Sequence, residues 1–185
     1  MKAAFALLVT AALLTACAAA VAPFLPAYRD LSVPIASKAD FDPTRYAGRW
    51  YEVARFPVPF QNGCAGSLAE YATPAGDTLR LRNSCLGPDG ATLRAITGTA
   101  EVTGPGRLKV ELTGVPFSAP LWVLWTDADY RTAVLGQPDG RAGWILNREA
   151  DISPDRLEAA RAVLDFNGYD TDRLIYASGV EANSR

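Results

Sequence analysis

Lys109 and Glu111 stand between Leu108, Val110 and Leu112, the clearest alternation of apolar and charged positions in the chain. A period of two puts successive side chains on opposite faces of a strand. The same period, less cleanly kept, recurs from residue 48 onward. It predicts strands at 48–56, 66–73, 78–84, 92–102, 107–113, 119–127, 132–137 and 143–148. Between them lie Pro74-Ala75-Gly76-Asp77, Gly87-Pro88-Asp89-Gly90, Gly104-Pro105-Gly106 and Pro138-Asp139-Gly140, rich in the residues that tight turns need. Eight strands on short links argue for an antiparallel, up-and-down order. Closing the sheet on itself would remove its exposed edges. The expected fold is all-β: an eight-stranded antiparallel up-and-down β-barrel with one C-terminal α-helix packed outside.

That helix follows from the one change of period. Leu157, Ala160, Val163 and Leu164 share a face at helical spacing. Ser153 suits the N-cap, Pro154 the first turn and Gly168 the end. A short ninth strand is expected at Leu174-Ile175-Tyr176.

The alternation also assigns an inside. Gly48-Arg49-Trp50-Tyr51-Glu52 opens the first strand, with Gly48 allowing a tight bend and Trp50 turned to the buried side. Arg148, at the end of Trp144-Ile145-Leu146-Asn147-Arg148, is placed to lie on that indole and close the barrel floor, a contact contributing about 0.5–2 kcal/mol. Gly48, Trp50 and Arg148 are therefore read as structural residues. The phase of Trp50 puts Glu52 and Ala54 inside, and Arg148 does the same for Trp144 and Leu146. The remaining strands give Ser67, Ala69 and Tyr71; Leu79, Leu81 and Asn83; Ile96, Gly98, Ala100 and Val102; Leu108, Val110 and Leu112; and Leu121, Val123 and Trp125. In this sixth strand Trp122 and Leu124, on the other face, are equally apolar. A bulge would reverse any of these assignments.

An apolar interior with sparse polar groups suits a ligand with a long hydrocarbon part, each buried CH₂ contributing about 0.8 kcal/mol. Glu52, Tyr71 and Asn83 are the inward groups suited to orienting a head group, and each also has an ordinary structural role open to it.

Composition narrows the chemistry. Apolar residues make up 49% of the chain and the formal charge is −2, so a globular core is expected and binding to nucleic acid is not. The chain has no His, which excludes His-based triads and His metal sites. No CxxC is present, and no metal or cofactor is expected.

Met1-Lys2, an apolar run from Ala3 to Leu14 and Thr15-Ala16-Cys17 form the pattern of a secretory signal. The run is too short to span a bilayer comfortably. Residues 18 to about 40, with Pro23, Pro26 and Pro34, read as an extended tether. There are 3 Cys. If Cys17 is modified, Cys64 and Cys85 remain as a pair, and export favours their oxidation to a disulfide. Two reduced, buried thiols are the alternative.

Gly48-x-Trp50-Tyr51, Asn62-Gly63-Cys64 to Tyr71, Tyr130-Arg131-Thr132-Ala133-Val134-Leu135 before Pro138-Asp139, and Trp144-Ile145-Leu146 with Arg148 together resemble the lipocalin family, in particular bacterial outer-membrane lipoprotein lipocalins similar to apolipoprotein D. One motif departs: Thr126-Asp127 is separated from Tyr130 by Ala128-Asp129. Leu14-Thr15-Ala16-Cys17 likewise resembles the lipobox of bacterial lipoproteins, which implies acylation of Cys17, and Ala18 after it implies sorting to the outer membrane. An ordinary signal with an incidental Cys remains the other reading. On this view residues 1–16 are a lipoprotein signal peptide, 17–40 a lipid-anchored tether and 41–185 the lipocalin domain.

The resemblance implies a calyx that binds and transports a small hydrophobic ligand, a fatty acid or lysophospholipid, in support of envelope lipid storage or maintenance. Its expected partners are that lipid and a membrane held through the acyl anchor; a homodimer is left open. Two rival classes differ in kind. One is a structural or partner-binding envelope lipoprotein whose barrel is filled. The other is an isomerase-type enzyme on the same fold, which would require a free Cys64 or Cys85 inside the cavity.

Overall fold

A computed structural model describes residues 26–178 and 180. Nine strands form one antiparallel sheet: β1 (Gly48–Arg55), β2 (Gly66–Tyr71), β3 (Thr78–Leu86), β4 (Thr92–Gly104), β5 (Arg107–Leu112), β6 (Ser118–Thr126), β7 (Thr132–Gly136), β8 (Gly143–Asn147) and β9 (Ile175–Tyr176). Each of the first eight pairs with its sequence neighbour, and β1 pairs with both β2 and β8, which closes the barrel. The strand starting at Gly48 leaves β2 after Tyr51, and β9 then takes over that edge of β1 at Ala54 and Arg55.

Among the described residues two α-helices complete the fold. The four-residue α1 (Pro43–Tyr46) was not legible in the sequence. Asp42 caps it through Oδ1, which accepts from Thr44 N at 2.8 Å and Arg45 N at 3.3 Å. The longer α2 (Pro154–Phe166) ends where Gly168 adopts φ +84°, a left-handed turn that favours glycine. Ser153 stands at its N-cap position, but its hydroxyl accepts from Arg156 Nε rather than from the helix backbone.

The sheet separates two apolar clusters. Outside it, Leu157, Ala160 and Leu164 of α2 pack with Ala54, Phe56, Leu124, Val134 and Ile145. Inside it, Tyr46, Trp50, Tyr71, Leu79, Leu81, Leu108, Val123, Leu135 and Leu146 fill the lower part of the barrel. Burying a side chain of this size contributes about 1.5–3 kcal/mol, so both layers hold the fold.

The segment expected to be a tether is a packed strap over the part of it described. Tyr28 and Arg29 are buried. Tyr28, Phe56 and Tyr169 form a stack with ring centroids 5.0 and 5.2 Å apart. Tyr28 N donates to Gly140 O at 2.7 Å, and Arg29 Nε to Asn167 O at 2.7 Å. A proline-rich composition reads as extended chain, but an aromatic and an arginine with buried acceptors are enough to pin it down. Cys17 and the signal-like residues lie outside the described residues.

Candidate functional site

One end of the barrel is shut. Trp50 is fully buried, and its Nε1 donates to Tyr46 O at 2.8 Å. The Arg148 guanidinium lies 3.7 Å from the Trp50 ring centroid. It also donates to the carbonyls of Arg45, Tyr46, Ala47, Arg49 and Tyr130 at 2.8–3.3 Å. One cation thus ties α1, β1 and the turn before β7 together. Tyr130, at φ +56°, closes the same corner, with Arg45 4.4 Å from its ring centroid.

The other end is open. Register places the β1–β2, β3–β4, β5–β6 and β7–β8 connections there. Inward residues of the floor half, among them Tyr71, Leu79, Leu81, Ala100, Leu108, Val123 and Leu146, are buried. Ser67, Ala69, Asn83, Ile96, Gly98, Val110, Leu112, Leu121 and Trp144 also alternate inward, yet each is only half-buried. An inward apolar side chain that still meets solvent marks open space above the floor. Gly98 adds no side chain to it; a Cβ there would stand 2.1 Å from Glu111 O, so the strands can close in only on glycine.

Two assignments are corrected. Ala54 and Trp125 both belong to the outer layer under α2, not to the hollow. The register shifts between Glu52 and Ala54, and again between Val123 and Trp125. At each bulge one extra residue reverses the phase beyond it.

The first bulge has a further effect, which alternation alone missed: it turns Arg55 inward. Arg55 pairs with Trp144 across β8 and is 8% exposed. Its Nη1 donates to Glu52 Oε1 at 3.0 Å. Gln61, from the β1–β2 loop, donates through Nε2 to both Glu52 Oε2 and Ser67 Oγ and accepts from Trp144 Nε1 at 3.0 Å. Burial pushes the Glu52 carboxyl up from its ordinary value, against the opposing pull of Arg55, Gln61 and Ser67. Arg55 Nε is buried with no hydrogen-bond partner, a state that costs on the order of 1–3 kcal/mol.

The β1–β2 loop is clasped over this cluster. Arg94 Nη2 donates to Phe60 O at 3.2 Å and Asn62 O at 2.7 Å. Cys64 at the end of the loop is disulfide-bonded to Cys85 of β3. Around the rim, Phe60, Leu93 and Phe117 are 62, 57 and 71% exposed.

A second concavity, about 1220 Å³, lies along the outer wall of β1–β5. Its lining mixes outward charged side chains such as Arg49, Glu70, Arg80, Arg82 and Glu111 with Tyr71, Leu81, Leu112, Val115 and Phe117. Among the described residues no group of His, Cys, Asp and Glu is arranged to hold a metal, and no helix is long and apolar enough to cross a membrane.

A closed antiparallel barrel with a sealed floor, an open mouth and a helix outside defines a calyx-type β-barrel protein. Residues 41–178 match the family model described as a lipocalin-like domain, and the chain belongs to the lipocalin family. It is 35% identical over 140 residues to the outer membrane lipoprotein Blc of Escherichia coli (strain K12), covering 74% of this chain and 78% of that protein. Apolipoprotein D of Mus musculus is 30% identical over 147 residues, covering 73% and 75%. Among solved structures, insecticyanin from the tobacco hornworm Manduca sexta superposes with a TM-score of 0.63 at 23% identity, covering 85% of this chain and 89% of that one. Lobster apocrustacyanin A1 gives 0.62 at 21%, covering 84% and 92%. At these identities the structural likeness speaks for the fold alone.

Proposed function

We propose that this chain is an exported, membrane-anchored carrier that holds a small lipid, a fatty acid or lysophospholipid, in the upper half of its barrel. The observation that carries this reading is the contrast within one interior: the floor half is packed solid, whereas inward apolar residues nearer the mouth keep exposed surface. Such a half-filled barrel is a container for a chain of CH₂ groups, each contributing about 0.8 kcal/mol when buried. The likeness to an outer membrane lipoprotein supports the anchor and the bacterial outer membrane as the location.

The position of the chain's entry supports a membrane-facing mouth. Tyr28 and Arg29 bond to the β7–β8 turn at Gly140 and Pro138, and Tyr28 Oη donates to Pro57 O at 2.6 Å. All three acceptors lie at the open end. With Cys17 acylated, the residues between it and Pro26 can reach at most about 30 Å, which keeps the mouth and its rim of Phe60, Leu93 and Phe117 close to the lipid surface. Lipid then partitions between bilayer and calyx without crossing much water.

Native mass spectrometry of the domain with fatty acid and lysophospholipid, paired with displacement of a fluorescent fatty acid, tests the cargo. Binding of one lipid per chain is expected; no binding by either method rejects the reading in favour of a structural envelope protein. Radiolabelled palmitate incorporation that is lost in Cys17→Ser tests the anchor.

A further inference from the structure

Arg55 brings a positive charge into a chamber lined mostly by apolar side chains, and its Nε is left without an acceptor. Its only described ion pair is with Glu52. That carboxylate is itself occupied, taking donors from Arg55 and from a Gln61 that Ser67 and Trp144 hold in place. Among the described residues three buried side-chain polar atoms lack a hydrogen-bond partner, Arg55 Nε, Tyr46 Oη and Thr126 Oγ1, and of these the Arg55 edge alone belongs to a charged group.

We propose that Arg55 receives the anionic head group of an amphiphile whose alkyl chain fills the calyx, and that Glu52 takes up one proton as the anion arrives. This rests on the lipid-carrier reading and adds to it the chemistry of the head group and a linkage to pH. The recognised feature is an oxyanion on an alkyl chain, whether carboxylate, phosphate or sulfonate.

Charge balance requires the proton. Without ligand, Glu52 and Arg55 cancel. A second anion beside Arg55 would leave a net negative charge out of water, which burial penalises heavily. Protonating Glu52 restores neutrality, with Arg55 paired to the ligand instead. One O–H bond forms at a Glu52 carboxyl oxygen, the proton comes from solvent, and no other covalent bond changes. Burial already favours the protonated form of Glu52. Of the groups facing Glu52, Arg55 carries charge, whereas Gln61 of the loop, Ser67 of β2 and Trp144 of β8 do not. Arg94 of β4 is turned to loop carbonyls.

Dodecanesulfonate and dodecanol are suitable probes because neither changes charge over the pH range used. Wild-type protein should bind the sulfonate at least about tenfold more tightly than the alcohol. Sulfonate affinity should fall as pH rises above the titration of Glu52, while alcohol affinity stays level. Calorimetry in two buffers of different ionisation heat should show about one proton taken up at the alkaline end. Arg55→Gln should lose the preference while still binding dodecanol, which also shows that it is folded; Arg55→Lys should keep part of it. Glu52→Gln should keep the preference and lose the pH dependence. Equal binding of both probes to wild type, an undiminished preference in Arg55→Gln, or sulfonate binding that ignores pH would overturn the proposal. Binding of neither probe would instead reject the carrier reading beneath it.

Discussion

A Cβ placed on Gly48 would stand 3.0 Å from Arg148 Nη1, and Gly48 holds φ at +106°. The residue that starts β1 is thus glycine both for its backbone and for the guanidinium that seals the floor beside it. Gly48→Ala should cost about 1–3 kcal/mol through strain at that dihedral, read as a lower denaturant midpoint with an unchanged slope.

Arg148→Met should cost about 2–4 kcal/mol, because five carbonyl acceptors lose their donor along with the stack on Trp50. Arg148→Lys should recover little of this, since an ammonium lacks the planar fork that reaches several carbonyls at once. A lysine variant as stable as the native protein in urea would mean that charge alone closes the floor.

The disulfide joins residues separated by 21 in sequence, a closed loop that contributes about 3 kcal/mol in the chain-entropy account. The double variant Cys64→Ser/Cys85→Ser should lose about that much. A reductant should shift the native protein's midpoint and leave the variant's unmoved.

Glu52 and Arg55 should be strongly coupled. Removing either partner leaves an uncompensated polar group in the calyx and should cost about 3–5 kcal/mol. The double variant Glu52→Leu/Arg55→Met should lose much less than the sum. Additive losses in the double-mutant cycle would show that the two do not act as a pair.

Asp127 ties its own turn. Burial alone would raise its carboxyl, but bonds from Thr132 N, Arg131 Nε and Arg131 N outweigh it and hold the pKa below the ordinary carboxylate value. A depressed folded pKa means that the contribution is present above the unfolded value and is lost as pH falls through the folded one. Asp127→Asn should therefore cost about 1–2 kcal/mol at neutral pH and progressively less in acid, as followed by midpoints across a pH series.

Leu164→Ala, under the helix, should cost about 2–5 kcal/mol through the cavity it leaves. Lipid affinity should stay unchanged in the folded fraction. Leu112→Ala, half-buried and inward, should do the reverse: weaker binding by displacement assay and a small change in stability.

Strand positions were legible because Gly-, Pro- and Asp-rich turns bracket clear alternation, as around Leu108–Leu112. The floor was legible because Trp50 and Arg148 have few other uses in such a pattern. Two bulges were not. Val53-Ala54 and Leu124-Trp125 are apolar on both phases, so nothing in residue type marks where one residue is extra, and Ala54 and Trp125 were assigned to the wrong face. Arg55 was missed for the same reason: a charged residue on an outward phase looks solvated until the bulge is known. The strap at Tyr28 and Arg29 was hidden because its partners, Gly140, Asn167 and Tyr169, lie more than a hundred residues away.

Because the outer layer under the helix and the packed floor together anchor the sheet, the mouth half of the interior is spared much of the labour of holding the molecule together. Residues such as Leu112, Asn83 and Val110 can drift in size and polarity with modest structural consequence. Over evolutionary time, a change of cargo could then proceed by single substitutions, without a new scaffold.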